Sequence, residues 1–423
     1  MMKYLLYFLA AVGAAGLIVW LYVALAPGPE DRVPTTIVGE HADFDVLSVI
    51  GAQTGSPVAR RNEIDLYVNG DEIFPPMLAA IREAEETIEF LTFVYWTGDV
   101  ALEFAEALAE ASRRGVRVRV LLDAVGAAKM PDELTTMMDE AGCEIAWYHP
   151  LEWYTLQRLN YRTHRKVLVA DRRVAFTGGV GIAEEWTGDA EDPGHWRDDH
   201  FRIRGPAVRH LHAAFAENWR RATGEVMVDA IPEDSLEARG TALATPLVTS
   251  PRGSASDISV VIWLLLVRAE RTVDIATPYF VPDQSLVEAI AATAARGVRV
   301  RLLVPGPHMD KEIVRKASLG TFDDLIDGGV EVWEYQPTMM HAKTMVVDGR
   351  WSMIGSANFD IRSMKLNDEL LLVVDETGLA DQITRSFEAD LQRSSRLSAK
   401  ELRRLPIWER LYVGAALLLR EQL

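Results

Sequence analysis

The chain has one cysteine, Cys143, which excludes an internal disulfide and any metal cage built from cysteines. Its setting, Gly142-Cys143-Glu144-Ile145-Ala146-Trp147, reads as a small buried hydrophobe rather than a reactive thiol. Positive charge is also scarce: 44 Lys and Arg stand against 62 Asp and Glu, a net charge of −18. Such a surface repels a phosphate backbone unless a local basic cleft overrides it, so nucleic acid is not expected as a partner. Disorder is not expected either, because 49% hydrophobic and 25% charged residues are ordinary for a folded chain. The length, 423 residues, allows two domains of normal size.

An uncharged run from Tyr4 to Ala26 opens the chain. A helix needs about 20 such residues to cross a hydrocarbon core. Ala24-Leu25-Ala26 has the small-x-small form of a cleavage site, but the run exceeds the ~7 to 15 apolar residues of a secretory segment. Residues 1–30 are therefore expected to form a retained single-pass anchor in a bacterial-type cell membrane. Lys3 precedes the run and Glu30, Asp31 and Arg32 follow it, so the positive-inside tendency puts the catalytic body on the extracytoplasmic side.

The rest of the chain is one unit written twice. Gly115-Val116-Arg117-Val118-Arg119 returns as Gly297-Val298-Arg299-Val300-Arg301, each time after an alanine-rich helical stretch and before an apolar strand. Upstream, Ala84 to Phe90 answers Ala269 to Ile275, and downstream Glu144 to Pro150 answers Glu331 to Pro337. Strands alternating with helical stretches predict an α/β fold with largely parallel strands. Residues 31–224 and 258–397 are read as the two domains, and the Pro-, Gly-, Ser- and Thr-rich stretch 225–257 as their linker. The tail, 398–423, is helical by pattern, with Leu402, Leu405, Trp408, Leu411 and Leu417 to Leu419 as apolar positions. A packed core helix is favoured there over one lying on a membrane.

Each copy carries one chemical motif. The first is His164-Arg165-Lys166 followed by Asp171, with Gly178-Gly179 after it; the second is His341-Ala342-Lys343 followed by Asp348, with Gly355-Ser356-Ala357-Asn358. On an extended chain, residues two apart share a face, which sets each imidazole beside an ammonium. Asp171-Arg172-Arg173 and Asp348-Gly349-Arg350 read as tight turns into a second strand. A neutral imidazole can attack a phosphodiester while a lysine neutralises charge on the phosphoryl oxygens. A second pair supplies the acid for the leaving alcohol and the base for the incoming one. This chemistry calls for no metal and no cofactor. One His-x-Lys alone signifies little, but two with identical internal spacing at the same point of a repeat are not a solvated strand face.

His-x-Lys-x4-Asp followed by Gly-Gly or Gly-Ser resembles the signature of the phospholipase D superfamily, and the resemblance runs from about Asn62 to Arg393. Asn69-Gly70, Trp196-Arg197-Asp198, Tyr279-Phe280-Val281-Pro282-Asp283 and the stretch from Asn358 to Glu369 are similar to its cardiolipin synthase branch. The resemblance implies two similar α/β domains about a pseudo-twofold, here preceded by one transmembrane helix. It implies catalytic roles for His164, Lys166, Asp171, His341, Lys343 and Asp348, with His164 forming a phosphohistidine and His341 acting as acid and base. Asp171 and Asp348 are expected to serve structure rather than chemistry. Asn358, Ser356 and Gly179 are expected at the phosphate, although Gly181 stands where the second copy has Asn358, so the half-sites are not equivalent. Asp198 and Glu369 are expected to orient the histidines crosswise, Glu369 on His164 and Asp198 on His341, with Asp199 and Asp368 turned to solvent. The expected partners are phospholipid substrates, phosphatidylglycerol first, and a membrane. The implied reaction is phosphatidyl transfer between phosphatidylglycerol molecules. The alternatives are a hydrolase releasing phosphatidic acid, a nuclease of the same superfamily, or an inactive membrane scaffold.

Overall fold

The computed structural model describes residues 3–4, 7–8, 12–16, 44–150, 160–228, 231, 237–251, 257–404 and 406–420. The first half contributes β1 (Ala59–Val68), β2 (Thr87–Thr92), β3 (Arg117–Asp123), β4 (Glu144–Tyr148), β5 (Val167–Ala170), β6 (Val174–Gly178) and β7 (Asp199–Arg204). The second contributes β8 (Ala242–Thr249), β9 (Thr272–Ala276), β10 (Phe280–Val281), β11 (Arg299–Pro305), β12 (Glu331–Tyr335), β13 (Thr344–Val347), β14 (Trp351–Gly355), β15 (Phe359–Asp360), β16 (Glu369–Asp375) and β17 (Ser394–Arg396). All but the short β10–β15 pair join one sheet, ordered β17-β12-β11-β9-β13-β14-β16-β8-β1-β7-β6-β5-β2-β3-β4. Read outward from the β8–β1 seam, the order repeats over seven strands, with β16 matching β7, β14 matching β6, β13 matching β5 and β9 matching β2, and β17 is added at one edge. That is the pseudo-twofold expressed as topology.

The sheet is mixed rather than largely parallel. Within each repeat, β2–β3–β4 and β9–β11–β12 are parallel, joined by crossover helices such as Asp99–Arg113 and Gln284–Ala295. The β5–β6–β7 and β13–β14–β16 groups are antiparallel. The cause lies in the two turns: Asp171 and Arg172 have φ of 50° and 55°, and Asp348 and Gly349 have 55° and 64°. Two consecutive positive-φ residues reverse a strand onto its neighbour. Each aspartate also accepts three backbone N–H bonds, Asp171 from Glu85, Glu86 and Thr87 at 2.9, 2.7 and 2.9 Å, and Asp348 from Glu270, Arg271 and Thr272 at the same three distances.

Two apolar clusters pack helices against the strands of each half, the second half also taking Val46, Leu47 and Ile50 from a helix of the first. A third joins the halves, uniting Leu91, Val169, Phe201 and Phe215 with Val346, Leu370, Leu372 and Ile383. The stretch 225–257, read as a linker, carries β8, which pairs antiparallel with both β1 and β16 and so closes the seam. Cys143 is buried, which pushes its thiol up to about 11.

The membrane expectation needs correction. No helix among the described residues is long and apolar enough to cross a membrane, which overturns the single-pass anchor and the extracytoplasmic placement that rested on it. Of Tyr4 to Ala26, the described residues are Tyr4, Tyr7, Phe8 and Val12 to Gly16; the others lie outside them. The tail is two helices, Ala399–Arg403 and Ile407–Leu418, with Pro406 at the second N-cap. Leu402 is buried, but Trp408 and Leu411 are exposed, so only one side of the tail meets the core.

Candidate active site

His164 and Lys166 lie in an extended segment just before β5, and His341 and Lys343 just before β13. These segments leave their own sheet and bond to the other half. The His164 N–H donates to the Asp368 carbonyl at 2.9 Å, and the His341 N–H donates to the Arg197 carbonyl at 2.7 Å. Each motif is thereby registered by the opposite repeat.

Both histidines and Lys166 line one cavity of roughly 180 Å³, to which the first repeat also contributes Phe93, Trp96, Trp186 and Trp196. The second repeat contributes Tyr279, Asp310, Lys311, Asn358, Arg362 and Asn367. His164 Nδ1 is 3.0 Å from Glu369 Oε1, and His341 Nδ1 is 2.6 Å from Asp198 Oδ2. Each carboxylate comes from the opposite half, the crossed arrangement. With Nδ1 donating to a carboxylate, Nε2 is the nitrogen left for a substrate. The imidazoles also rest edge-on against rings: Phe93 is 5.3 Å from His164, and Trp186 is 5.2 Å from His341.

The lysines are held by their own motifs, Lys166 Nζ donating to the His164 carbonyl at 2.8 Å and Lys343 Nζ to the His341 carbonyl at 2.7 Å. Burial, then the charge of Lys343, brings Lys166 down to about 7; burial brings Lys343 down to about 8. Burial also lowers His164 to about 4, with Glu369 opposing and Lys166 assisting, and holds His341 well below its usual value. Burial raises Asp198. It would raise Glu369 too, but His164 and Lys166 outweigh it and hold that carboxylate below its ordinary range. A cleft crowded with cations and neutral imidazoles is set up for an anion.

Several sequence-stated roles change place. Ser356 does not line the cavity; its hydroxyl donates to Glu369 Oε2 at 2.5 Å and receives the Leu370 N–H, so it fixes that carboxylate. Gly179 likewise serves a carboxylate: a Cβ there would lie 2.0 Å from Asp198 Oδ1. Asn358 does reach the cavity, and its Oδ1 has no hydrogen-bond partner among the described residues; the same holds for Asn367 Oδ1. At Gly181 a Cβ would meet Val94 Cβ at 2.7 Å and the Trp186 ring at 3.1 Å, so an aromatic wall fills the space that Asn358 has in the other half.

Asp199 and Asp368 are buried, not solvated, because the inter-half contact covers both. Asp199 binds Arg197, which also binds Asp390, and Asp368 receives Tyr148, Asn218 and Arg221.

Sequence reasoning missed Arg165 and Arg162. Arg165 is fully buried and donates to the carbonyls of Ala214, Thr249 and Glu369 and to Asn218, bolting the halves together behind the cavity. Arg162 lines the cavity and is held by Asp123 at 2.9 Å. Met339 stands at its place in the second motif, so the repeat gave no signal for it. Asn69 accepts the Asp198 N–H through its side chain and donates its own N–H to the Asp198 carbonyl. Among the described residues, the group of acids and histidine close enough to hold a metal is Glu191, Asp192 and His195, which stands outside the cavity.

A two-repeat α/β sheet with one His-Lys motif from each repeat at a shared cavity defines the phospholipase D architecture. The family model described as "Cardiolipin synthase, PLD-like domain" matches residues 77–219 and 263–391. A probable cardiolipin synthase of Bacillus subtilis (strain 168) is 33% identical over 80% of this chain and 68% of its own length. A cardiolipin synthase of Geobacillus kaustophilus (strain HTA426) is 32% identical over 86% and 73%. The solved phosphatidylserine synthase of Haemophilus influenzae Rd KW20 shares the fold, with a TM-score of 0.69 and 15% identity over 90% of this chain and 100% of that one. The chain belongs to the phospholipase D superfamily, in its cardiolipin synthase-like branch.

Proposed function

We propose that this enzyme transfers a phosphatidyl group from one phosphatidylglycerol to another, releasing glycerol and forming cardiolipin. The observation that carries the reading is the convergence of His164 and His341 on one cavity, each backed by a buried carboxylate of the opposite half, in a chain of the cardiolipin synthase-like branch.

His164 Nε2 attacks phosphorus while its Nδ1–H stays on Glu369, which stabilises the cation formed. The bond from phosphorus to the head-group glycerol oxygen breaks, and His341 gives that oxygen its Nε2 proton. A hydroxyl of the second phosphatidylglycerol then returns a proton to His341 and attacks phosphorus. The phosphorus–nitrogen bond breaks and His164 is restored. Lys166 and Lys343 neutralise the equatorial oxygens, and the arriving phosphate anion raises His341 towards the protonated state that the empty, cation-rich cleft disfavours. The unpartnered amide oxygens of Asn358 and Asn367 suit head-group hydroxyls. The aromatic wall suits the apolar remainder and excludes water from the phosphohistidine.

The test is product identification after incubating the purified chain with phosphatidylglycerol vesicles. Cardiolipin with equimolar glycerol is expected. Phosphatidic acid as the main product would replace the transferase by a hydrolase, and absence of both would remove the reading.

A further inference from the structure

The helix Ile407–Leu418 packs one face on the helix Glu312–Asp327. Gly320 permits a close crossing, since a Cβ there would meet Leu417 Cδ1 at 2.5 Å. Lys316 Nζ binds Glu409 at 2.5 Å, and Ala416 is buried with Val281, Val314 and Ala317, beside Tyr279. Tyr279, Asp310 and Lys311 are cavity residues, so this helix borders the mouth of the active site.

Its other face is apolar and uncovered among the described residues. Ile407 is 78% exposed, Leu411 70% and Trp408 62%, and Tyr412 and Leu419 are exposed as well. At 3.6 residues per turn, Ile407, Leu411, Ala415, Trp408, Leu419 and Tyr412 form one continuous stripe about 140° wide. The charge around it reverses the sign of the whole molecule. Against a net charge of −18, the tail 398–423 carries five cations, Lys400, Arg403, Arg404, Arg410 and Arg420, against three acids, Glu401, Glu409 and Glu421. Glu409 is taken by Lys316, Glu401 by the cap at Ser398, and Arg403 by Asp327. Lys400, Arg404 and Arg410 are exposed.

An apolar stripe with tryptophan, edged by cations on an acidic protein, is the signature of a helix lying in a bilayer interface. We propose that this face docks the enzyme onto an anionic lipid surface, with the stripe in the interfacial layer and the active-site mouth turned to the head groups. The inference deepens the proposed function by stating how a diacyl substrate reaches a cavity of only roughly 180 Å³ without leaving its bilayer.

The test uses the full chain with Cys143→Ala and a single environment-sensitive fluorophore at Ala415→Cys or, as control, at exposed Glu140→Cys. On phosphatidylglycerol vesicles the label at 415 is expected to shift to the blue and be quenched by brominated acyl chains, while the label at 140 does neither. Phosphatidylcholine vesicles are expected to give a much weaker response. Ile407→Ser with Leu411→Ser should cut vesicle turnover about tenfold or more, the scale of losing two buried aliphatic side chains. Turnover of a monomeric short-chain phosphatidylglycerol should be unchanged. Absence of a shift at 415 on phosphatidylglycerol overturns the proposal. A fall in melting temperature in the double variant, meaning that the chain covers this face itself, overturns it, and so does loss of a dimer. If no substrate is turned over, the proposed reaction fails while the label still reports on docking.

Discussion

Asp198 of the first repeat and His341 of the second are joined by a 2.6 Å hydrogen bond, and Glu369 with His164 forms its mirror at 3.0 Å. Neither repeat can orient its own histidine. Asp198→Asn and Glu369→Gln are therefore each expected to lower kcat by about 10²–10⁴-fold, the range seen when a histidine loses the carboxylate fixing its tautomer. Melting temperature, measured in parallel, separates this from unfolding. Near-normal kcat in a folded variant would remove the orienting role.

The pseudo-twofold could be seen in the sequence because duplicated strands such as Val116 to Leu121 and Val298 to Leu303 keep most of their residues. The crossed carboxylates were legible through the resemblance rather than through spacing. What stayed hidden depended on contacts between the halves. Asp199 and Asp368 alternate with Asp198 and Glu369, and alternation predicts solvent on the second face, but here the seam covers both faces. Ser356 and Gly179 were assigned to the phosphate by motif position, and only their contacts assign them to carboxylates. The mixed sheet, by contrast, was legible locally: the turns at Asp171 and Asp348 read from the sequence are the hairpins that make β5–β6 and β13–β14 antiparallel.

If His164 is the nucleophile, quenching in alkaline detergent of a reaction with a phosphorus-labelled p-nitrophenyl phosphodiester, whose leaving group needs no acid, should trap a phosphoenzyme in His341→Asn and none in His164→Asn. The acid-labile, base-stable behaviour of a phosphoramidate would identify the linkage. Label retained in His164→Asn and absent from His341→Asn would exchange the two roles.

The pH profile follows from the buried cations. In the free enzyme His164 is a usable base above about 4, so kcat/KM should rise through that region. His341, the proton donor, is deprotonated first, from below its ordinary value, and Lys166 and Lys343 then lose their charge above about 7 and about 8, so kcat/KM should fall further there. Because the shifts are downward, the loss comes on the alkaline side and far below the ordinary lysine range. Lys166→Arg, which stays charged, should push the first part of that fall to higher pH. A monomeric substrate avoids vesicle surface charge, and a profile flat to pH 9.5 would contradict the assignment.

Asp171 and Asp348 should behave as structural acids. Each holds three backbone N–H groups at the start of the β2 or β9 strand, outside the cavity. Asn at either position tolerates the positive φ but faces an N–H with an amide donor, costing about 1–3 kcal/mol. Thermal unfolding should register the loss while kcat of the folded variant stays near wild type. A collapse of kcat at unchanged stability would make them chemical.

Gly179 offers the sharpest test of how the two histidines divide the work. A Cβ at 179 would fall 2.0 Å from Asp198 Oδ1 and 2.6 Å from Oδ2, so Gly179→Ala must drive that carboxylate away from His341 without touching Glu369 or His164. If His341 protonates the leaving alcohol, the variant should be crippled on phosphatidylglycerol, whose glycerol oxygen needs that proton. It should be largely restored on a p-nitrophenyl phosphodiester, whose leaving group needs none. Glu369→Gln, which disables the nucleophile, should gain nothing from the better leaving group. Equal loss on both substrates in Gly179→Ala, or rescue of Glu369→Gln, would mean that proton donation does not pass through His341.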